Sequence, residues 1–294
     1  MAAAGSEPLI DVRAVICNSA RWVEEFVGSL IAQRYPAGRV NLVMVDHGST
    51  DGTLDELEAL RRAHGAAFAG FVVKSRENRG LGAGQGAAAA EGNAPFILVS
   101  NVDLTFETDA LERVVAMALA DAPDIAAWEL RQKPYEHPKF YDPVTLETAW
   151  NSYACVLLRR TAFEAVGGYD EAHFVHGADV ELSYYRLRCS GWRLHYCPPA
   201  VVWHCAYQAA EQIEPLRYTD CFFANLYIRL VYGEPRDMAA IPIMALGAVL
   251  RRQAYRGARR EILLASARLA CAARRGVAPA PFVRCQFWLP CLGL

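Results

Sequence analysis

The first 120 residues alternate between short apolar segments and helical patterns, and this alternation limits the possible folds more than any other feature. None of the apolar segments shows the polar alternation of a strand with one solvated face, so each is predicted to be a strand buried on both faces. The pattern predicts an α/β fold, with a mostly parallel, Rossmann-like sheet flanked by helices. The predicted strands are residues 12–17, 40–45, 70–74 and 95–100, and the predicted helices include residues 21–33, 53–64 and about 108–120.

The pattern changes near Trp128, where an irregular stretch rich in proline runs to about residue 153. A strand at 152–159, a helix from Asp179 to about Ser190 and a strand at 199–204 are predicted beyond it. After Tyr207 the chain has helical patterns alone. We therefore expect an α/β domain over residues 1–210 and a helical C-terminal region over residues 211–294.

Composition and charge exclude some classes of protein. The formal net charge of -2 argues against a protein that binds nucleic acid through bulk positive charge. The nine cysteines are scattered and form no CxxC pair, which is typical of reduced thiols in a cytoplasmic protein. The longest apolar run, residues 238–250, contains Pro242 and is shorter than the roughly 18–20 residues that a membrane-spanning helix needs.

Polar residues lie at or just beyond the ends of predicted strands. Asp46 follows the second strand, Asn101 and Asp103 follow the fourth, and His204 ends the last. In parallel sheets the carboxyl ends of the strands meet at one edge, where ligands bind. Carboxylate and imidazole groups there suit a divalent cation, Mg or Mn, which would neutralise a leaving diphosphate. Singly, however, such residues are more often turn formers or buried histidines.

Asp179 opens a predicted helix, where the helix dipole favours an ionised carboxylate that is ready to accept a proton. A plain helix cap is the alternative role. Arg76 lies where it would reach phosphates, although a solvated surface charge is the commoner case. Trp150 and Asn151 are the candidates for acceptor contact, with core packing as the alternative for the aromatic side chain.

Six segments, in their order and spacing, resemble the motifs of family-2 glycosyltransferases, which are inverting enzymes with the GT-A fold. The closest resemblance within that family is to bacterial polysaccharide and rhamnosyl-type transferases. The resemblance covers about residues 10–210. The matching segments are residues 45–52, 77–80, 100–103, 167–171, 176–182 and 202–204.

The resemblance implies a role for each candidate residue. Asp46 would read the nucleotide base, with Arg76 and Asn101 also binding the nucleotide. Asp179 would be the catalytic base. Asp103 would bind the metal, Mn or Mg, and His204 would be a further contact to the metal or to the diphosphate. The implied partners are a UDP- or dTDP-linked sugar and a glycan or lipid-linked acceptor.

Three positions depart from the family pattern. Asn101 replaces the first acid of the metal-binding motif, as in many relatives. His47 replaces the usual Asn after Asp46, which affects donor contacts. Ala178 replaces the Glu that usually precedes the catalytic Asp and supports the acceptor site.

Two other functions remain open from the sequence. Residues 82–87 satisfy a loose G-x-G-x-x-G/A pattern before a helix, which is typical of an NAD(P)-dependent oxidoreductase. The loss of Glu at Ala178 allows a non-catalytic module that binds a nucleotide sugar.

The C-terminal region carries a strong positive charge. Residues 251–284 hold nine arginines against one glutamate, interleaved with apolar residues. This composition is typical of a basic amphipathic helix on an anionic membrane surface, and a solvated helical face is the alternative. We expect a peripheral contact with the cytoplasmic face of the membrane, near a lipid-linked acceptor. The apolar tail, residues 281–294, is a candidate for packing, lipid contact or homodimerisation.

Overall fold

The computed structural model describes residues 7–136, 139–171, 177–205 and 215–250, with the backbone alone at 215–221 and 248–249. Its eight strands, β1 to β8, are Ile10–Ile16, Val40–Asp46, Gly70–Ser75, Phe96–Ser100, Leu104–Phe106, Ile125–Lys133, Cys155–Arg159 and Arg193–His204. Helices α1 to α5 are Ala20–Ile31, Thr53–His64, Leu81–Ala89, Ala110–Ala120 and Arg160–Ala165. Helix α6 begins at Ala178–Val180 and continues through the π-helical Glu181–Leu187 to the 3-10 turn Arg188–Ser190. Helices α7 and α8 are Pro215–Tyr232 and Pro235–Leu250.

The strands form one sheet in the order β3-β2-β1-β4-β7-β6-β8-β5. Strands β1 to β4, β6 and β8 run in one direction, and β5 and β7 run against them. The carboxyl ends of the six like-directed strands therefore meet at one edge. The prediction of a mostly parallel α/β sheet is confirmed.

The sheet is buried on both faces, as the apolar strands require. In β4, Phe96 and Leu98 join a core with helices α1, α2 and α4, whereas Ile97 and Val99 join a second core with α5 and α6. Successive side chains of a strand point to opposite faces, so continuous apolar sequence fills both cores.

The prediction of an irregular stretch from Trp128 was wrong for the beginning of that stretch. Residues Ile125–Lys133 form strand β6, which pairs with both β7 and β8. Its polar residues Glu129 and Gln132 are each only 2% exposed. Because they interrupt the apolar run, the sequence did not show that this strand is buried. Strand β7 begins at Cys155 rather than at 152, and β8 begins at Arg193 rather than at 199.

The Gly-rich residues 82–87 lie within a helix rather than before it. Residues Leu81–Ala89 form helix α3, and the glycines let its backbone approach its neighbours. A Cβ atom on Gly82 would lie 2.4 Å from the carbonyl oxygen of Asp170, and one on Gly84 would lie 2.6 Å from Val15. These glycines therefore serve close packing, which weakens the dinucleotide-binding interpretation.

Helices follow β8, as predicted. The stripe Ala224, Ile228 and Tyr232 of α7 packs against Trp150, Val180 and Tyr185. Helix α8 contains Pro242, and no helix in the described part of the chain is long and apolar enough to span a membrane. The basic segment 251–284, the tail 281–294, His176 and the predicted boundary near residue 210 all lie outside the described residues. The two-part division of the chain stays a prediction.

Candidate active site

The predicted strand-end residues lie at the same edge of the sheet. Asp46 ends β2 and pairs with Ile16 of β1, while Asn101 directly follows β4. His204 ends β8 and pairs with Leu104 of β5, the residue after Asp103. The sheet thus places groups from three separate parts of the sequence along one edge.

Asp46 is 1% exposed and is held by hydrogen bonds. Its carboxylate accepts the backbone N–H of Ser49 at 3.3 Å and the hydroxyl of Ser75 at 3.2 Å. The next loop is fixed to the end of β1, because Asn18 donates its N–H to Ser49 Oγ at 2.8 Å and accepts the N–H of Thr50 at 2.9 Å. The carboxylate is therefore held in place by polar neighbours, and its remaining capacity to accept hydrogen bonds is limited.

His47, the departure from the family pattern, fits a space made by Gly84. It is 5% exposed, and a Cβ atom on Gly84 would lie 2.8 Å from its ring atoms Cε1 and Nε2. Burial lowers the pKa of His47, against a hydrogen bond with Asn78 that raises it. The neutral ring therefore packs between β2, α3 and the segment after β3.

Arg76 and Asn101 are both exposed at this edge. Arg76 is tied to the site by its backbone N–H, which donates to the carbonyl of Asp46 at 2.8 Å. The backbone N–H of Asn101 donates to the carbonyl of Ala154 at 2.8 Å. Both side chains are available to a bound nucleotide.

The residues predicted to bind metal are in direct contact. Asp103 Oδ2 lies 3.1 Å from His204 Nε2, and His204 Nδ1 lies 3.2 Å from Gln132 Oε1. His204 contacts both partners through its two ring nitrogens, and which nitrogen donates depends on the tautomer of the ring. Carboxylate oxygen and imidazole nitrogen are both ligands that suit Mn or Mg. Hydrogen bonding of the other ring nitrogen is the usual support for a metal-binding histidine.

These two residues do not make a complete cation cage. No group of three or more His, Cys, Asp or Glu side chains that could hold a metal occurs among the described residues. Mg²⁺ sites in phosphate-transferring proteins commonly use one or two protein carboxylates together with water and substrate phosphates. The donor set therefore fits a cation that binds together with a diphosphate.

Asp179 opens α6 as predicted. Its Oδ1 accepts the backbone N–H of Val180 at 2.9 Å. Burial raises the pKa of Asp179, and this outweighs the lowering by the Val180 N–H and by the charge of Lys139. The raised pKa makes the carboxylate a stronger base than an exposed aspartate.

A buried polar network supports the cation site and extends toward Asp179. Gln132 donates to Ser152 Oγ at 3.5 Å, and the backbone N–H of Ser152 donates to Glu129 at 2.7 Å. Glu129 also forms an ion pair with Lys139, whose Nζ lies 4.7 Å from the ring centroid of Trp150. Burial raises the pKa of Glu129, while the Lys139 charge lowers it. The positive charge of Lys139 also lowers the pKa of Asp179.

The two candidates for acceptor contact are buried. Trp150 is 6% exposed and Asn151 is 0% exposed. Trp150 packs against α7, and Asn151 donates its amide to the carbonyl of His195 at 3.1 Å. Burial thus favours the core-packing role over acceptor contact for both residues.

The sequence interpretation missed Ser75, Gln132, Glu129 and Lys139. Polar residues within the otherwise apolar segment 125–133 were the available signal for two of them. The partners of those residues come from distant parts of the chain, so spacing alone did not reveal them.

Comparisons with known proteins identify the family of the chain. The profile described as "Glycosyl transferase family 2" matches residues 12–167. An N-acetylglucosaminyl-diphospho-decaprenol L-rhamnosyltransferase of Mycobacterium tuberculosis is 27% identical over 237 residues, covering 67% of this chain and 76% of that protein. The succinoglycan biosynthesis protein ExoA of Rhizobium meliloti is 25% identical over 193 residues, covering 60% of this chain and 57% of its own.

Solved structures show the same fold. A mannosyltransferase of Pyrobaculum calidifontis, determined with GDP-mannose and Mn²⁺, has a TM-score of 0.62 at 18% identity and covers 92% of this chain and 77% of that one. TarS of S. aureus has a TM-score of 0.56 at 15% identity, covering 89% and 80%. Since the family profile spans more than half of the 294 residues, the chain belongs to glycosyl transferase family 2 and is a glycosyltransferase with the GT-A fold.

Proposed function

We propose that this glycosyltransferase moves a sugar from a nucleotide-diphosphate donor to a hydroxyl group of a lipid-linked glycan, with inversion at the anomeric carbon. The observation that supports this most directly is the contact between Asp103 and His204 at the sheet edge where Asp46 also lies. Family membership makes the reaction a sugar transfer, and it removes the oxidoreductase alternative.

In the proposed donor complex, Asp46 accepts hydrogen bonds from the nucleotide base. The remaining lone pairs of its carboxylate, held in a fixed position, suit an N–H donor such as that of uracil or thymine. Arg76 and Asn101, both exposed beside it, bind the ribose or phosphates. We infer a UDP- or dTDP-linked donor, and a rhamnosyl donor is the first to test because the M. tuberculosis relative is a rhamnosyltransferase.

We propose that Asp103 and His204 hold Mn or Mg together with the donor diphosphate. A bound divalent cation would neutralise the charge that develops on the leaving diphosphate. Gln132 fixes the imidazole orientation, since it bonds to the other ring nitrogen.

We propose Asp179 as the catalytic base. Its carboxylate removes the proton of the acceptor hydroxyl as that oxygen forms a bond with the anomeric carbon. The bond from this carbon to the diphosphate oxygen breaks, and the nucleoside diphosphate leaves with the electron pair. A single displacement from the opposite face inverts the anomeric configuration.

The lipid-linked acceptor is proposed from the relative and from the C-terminal region. The M. tuberculosis protein is named for a diphospho-decaprenol substrate. In α8, Ile243, Leu246 and Leu250 are 60–74% exposed, and they directly precede the arginine-rich residues 251–284. We propose that this region contacts an anionic membrane surface at its cytoplasmic face. A homodimer through the apolar tail stays a prediction.

The test is a transfer assay with the purified full chain. dTDP-rhamnose and several UDP-sugars are each incubated with polyprenyl-diphosphate-linked N-acetylglucosamine, with Mn, with Mg or with chelator. We expect release of the nucleoside diphosphate and an extended lipid-linked product that depend on the cation. Donor binding without transfer or hydrolysis, for every donor, would favour the non-catalytic module instead.

A further inference from the structure

Helix α7 lies outside the region matched by the family profile, yet its side chains contact the helix that carries Asp179. The profile ends at residue 167, whereas α7 is Pro215–Tyr232. Ala224, Ile228 and Tyr232 are four residues apart, so they share one face of α7. All three are at most 5% exposed and share a core with Val180 and Tyr185 of α6.

Tyr232 makes the most specific of these contacts. Its hydroxyl donates to the carboxylate of Glu181, which is 0% exposed and lies two residues after Asp179. Its ring stacks on Tyr185, with centroids 4.7 Å apart and planes at 26°. Burial and the nearby Glu181 carboxylate raise the pKa of Tyr232, so the hydroxyl keeps the proton that it donates.

Glu181 in turn links α6 to the turn before it. Arg186 Nε lies 3.6 Å from Glu181 Oε1, and Arg186 Nη1 donates to the carbonyl of Gly168. The helix is π-helical from Glu181 onward. π-Helical turns are rare and occur frequently at functional sites. Here Glu181, at the first π-helical residue, is held by contacts from Arg186 and Tyr232.

We propose that Tyr232 is a positioning residue for the catalytic base: its hydrogen bond to Glu181 holds the first turn of α6 so that the Asp179 carboxylate faces the acceptor hydroxyl. The proposal rests on the proposed role of Asp179. It makes α7 a part of the catalytic unit, although this helix lies beyond the family match.

The first experiment compares steady-state kinetics of full-length Tyr232→Phe with wild type. Phenylalanine keeps the stacked ring and removes only the hydroxyl. We expect kcat to fall at least about 10-fold with the donor KM unchanged, because small errors in placing a catalytic group are costly. Glu181→Gln and the double variant complete a double-mutant cycle. We expect the kcat of the double variant to fall no further than that of the more impaired single variant.

Tyr227→Phe is the matched control. Tyr227 also lies on α7 and also donates to a buried carboxylate, that of Asp170 at 2.7 Å, which precedes α6 rather than belonging to it. We expect this variant to lose melting temperature like Tyr232→Phe and to keep its kcat. Equal losses of kcat in the two variants, or multiplicative losses in the cycle, would show that Tyr232 acts only through stability.

A second measurement does not need activity. The Val180 amide is protected by its bond to Asp179 Oδ1, so its hydrogen exchange reports the placement of that carboxylate. We expect faster exchange at Val180 in Tyr232→Phe than in Tyr227→Phe. If the wild type transfers no sugar, the proposed function fails, and this exchange still decides the positioning role. Equal exchange in the two variants would overturn it.

Discussion

Asp179 joins a half-buried carboxylate to a position at a helix start, and these two features act on its pKa in opposite directions. The sequence indicated the helix start, which favours the ionised form. Burial raises the pKa instead and is the larger effect. Burial was not readable from the sequence, because Ala178 and Val180, which are themselves buried, pack against distant residues.

Replacing Asp179 by Asn removes the proposed base and keeps the shape of the side chain. We expect kcat to fall roughly 100-fold or more, with the donor Kd unchanged, because general-base catalysis contributes about that much. Asp55→Asn is the control, since Asp55 is an exposed carboxylate in the first turn of α2. Near-normal turnover of Asp179→Asn would remove Asp179 from this role.

The raised pKa also makes a prediction about stability. A carboxyl whose pKa is raised on folding contributes stability below its unfolded pKa and loses that contribution as pH rises through the folded pKa. Ionised Asp179 therefore costs stability at neutral pH, and Asn does not ionise. We expect the melting temperature of Asp179→Asn to exceed that of wild type at pH 7, with the difference closing below the ordinary aspartate pKa of 3.8. A variant less stable than wild type at pH 7, with the gap unchanged at low pH, would contradict this.

The single residues at strand ends were predictable, whereas their supports were not. Asp46, Asp103 and His204 each follow an apolar run, and the rule about strand ends placed them at one edge. Gln132 acts through His204, far away in the sequence, and Lys139 pairs with Glu129 across an irregular segment, so only the fold reveals them. The burial of Trp150 and Asn151 was not readable either, because residues in a proline-rich stretch do not show from the sequence whether they are covered.

At the level of elements, the Gly-rich segment shows that one sequence pattern is compatible with two different structures. Residues 82–87 satisfied a dinucleotide-binding pattern, but they lie in helix α3, where Gly84 approaches β1 and His47 and Gly82 approaches Asp170. The neighbouring strands were predicted well, because their apolar runs are continuous. Strand β6 was not, because its polar residues are satisfied by buried partners.

Gly84→Ala tests this packing. The added Cβ would lie 2.6 Å from Val15 and 2.8 Å from His47, so one of them must move. We expect a melting temperature several degrees lower and weaker nucleotide binding, because overpacking costs about 1–3 kcal/mol. Gly28→Ala on α1 is the control, since nothing lies within 4 Å of its added Cβ. Helix propensity should make that variant more stable by about 0.5–1 kcal/mol. Equal stability of the two variants would contradict the packing account.

The whole molecule combines one sheet edge, which carries the proposed chemistry, with helices that follow the sheet. Helix α7 packs against Val180 and Tyr185 of α6, so the proposed role of Tyr232 extends the proposed catalytic unit beyond the predicted boundary near residue 210. The helical nature of this region was predictable from its pattern. Its contacts with α6 were not, because they join side chains tens of residues apart, such as Glu181 and Tyr232.

The proposed membrane contact makes a prediction at this scale. We expect the full chain to sediment with vesicles that contain anionic lipid, and to be released as salt is raised, because screening weakens the attraction of the arginines. Neutral vesicles are the control. Sedimentation that is unchanged after deletion of residues 251–294 would argue against the assignment.

The central claim is that Asp103 and His204 hold a cation only together with a diphosphate. Calorimetric titration of UDP, dTDP and GDP, with Mn or with chelator, tests it in wild type, Asp103→Asn and His204→Gln, with exposed His64→Ala as the control. The account predicts that one nucleotide binds wild type and the control far more tightly with Mn, and that both site variants lose this difference. Equal affinity with Mn and with chelator in the wild type would contradict it.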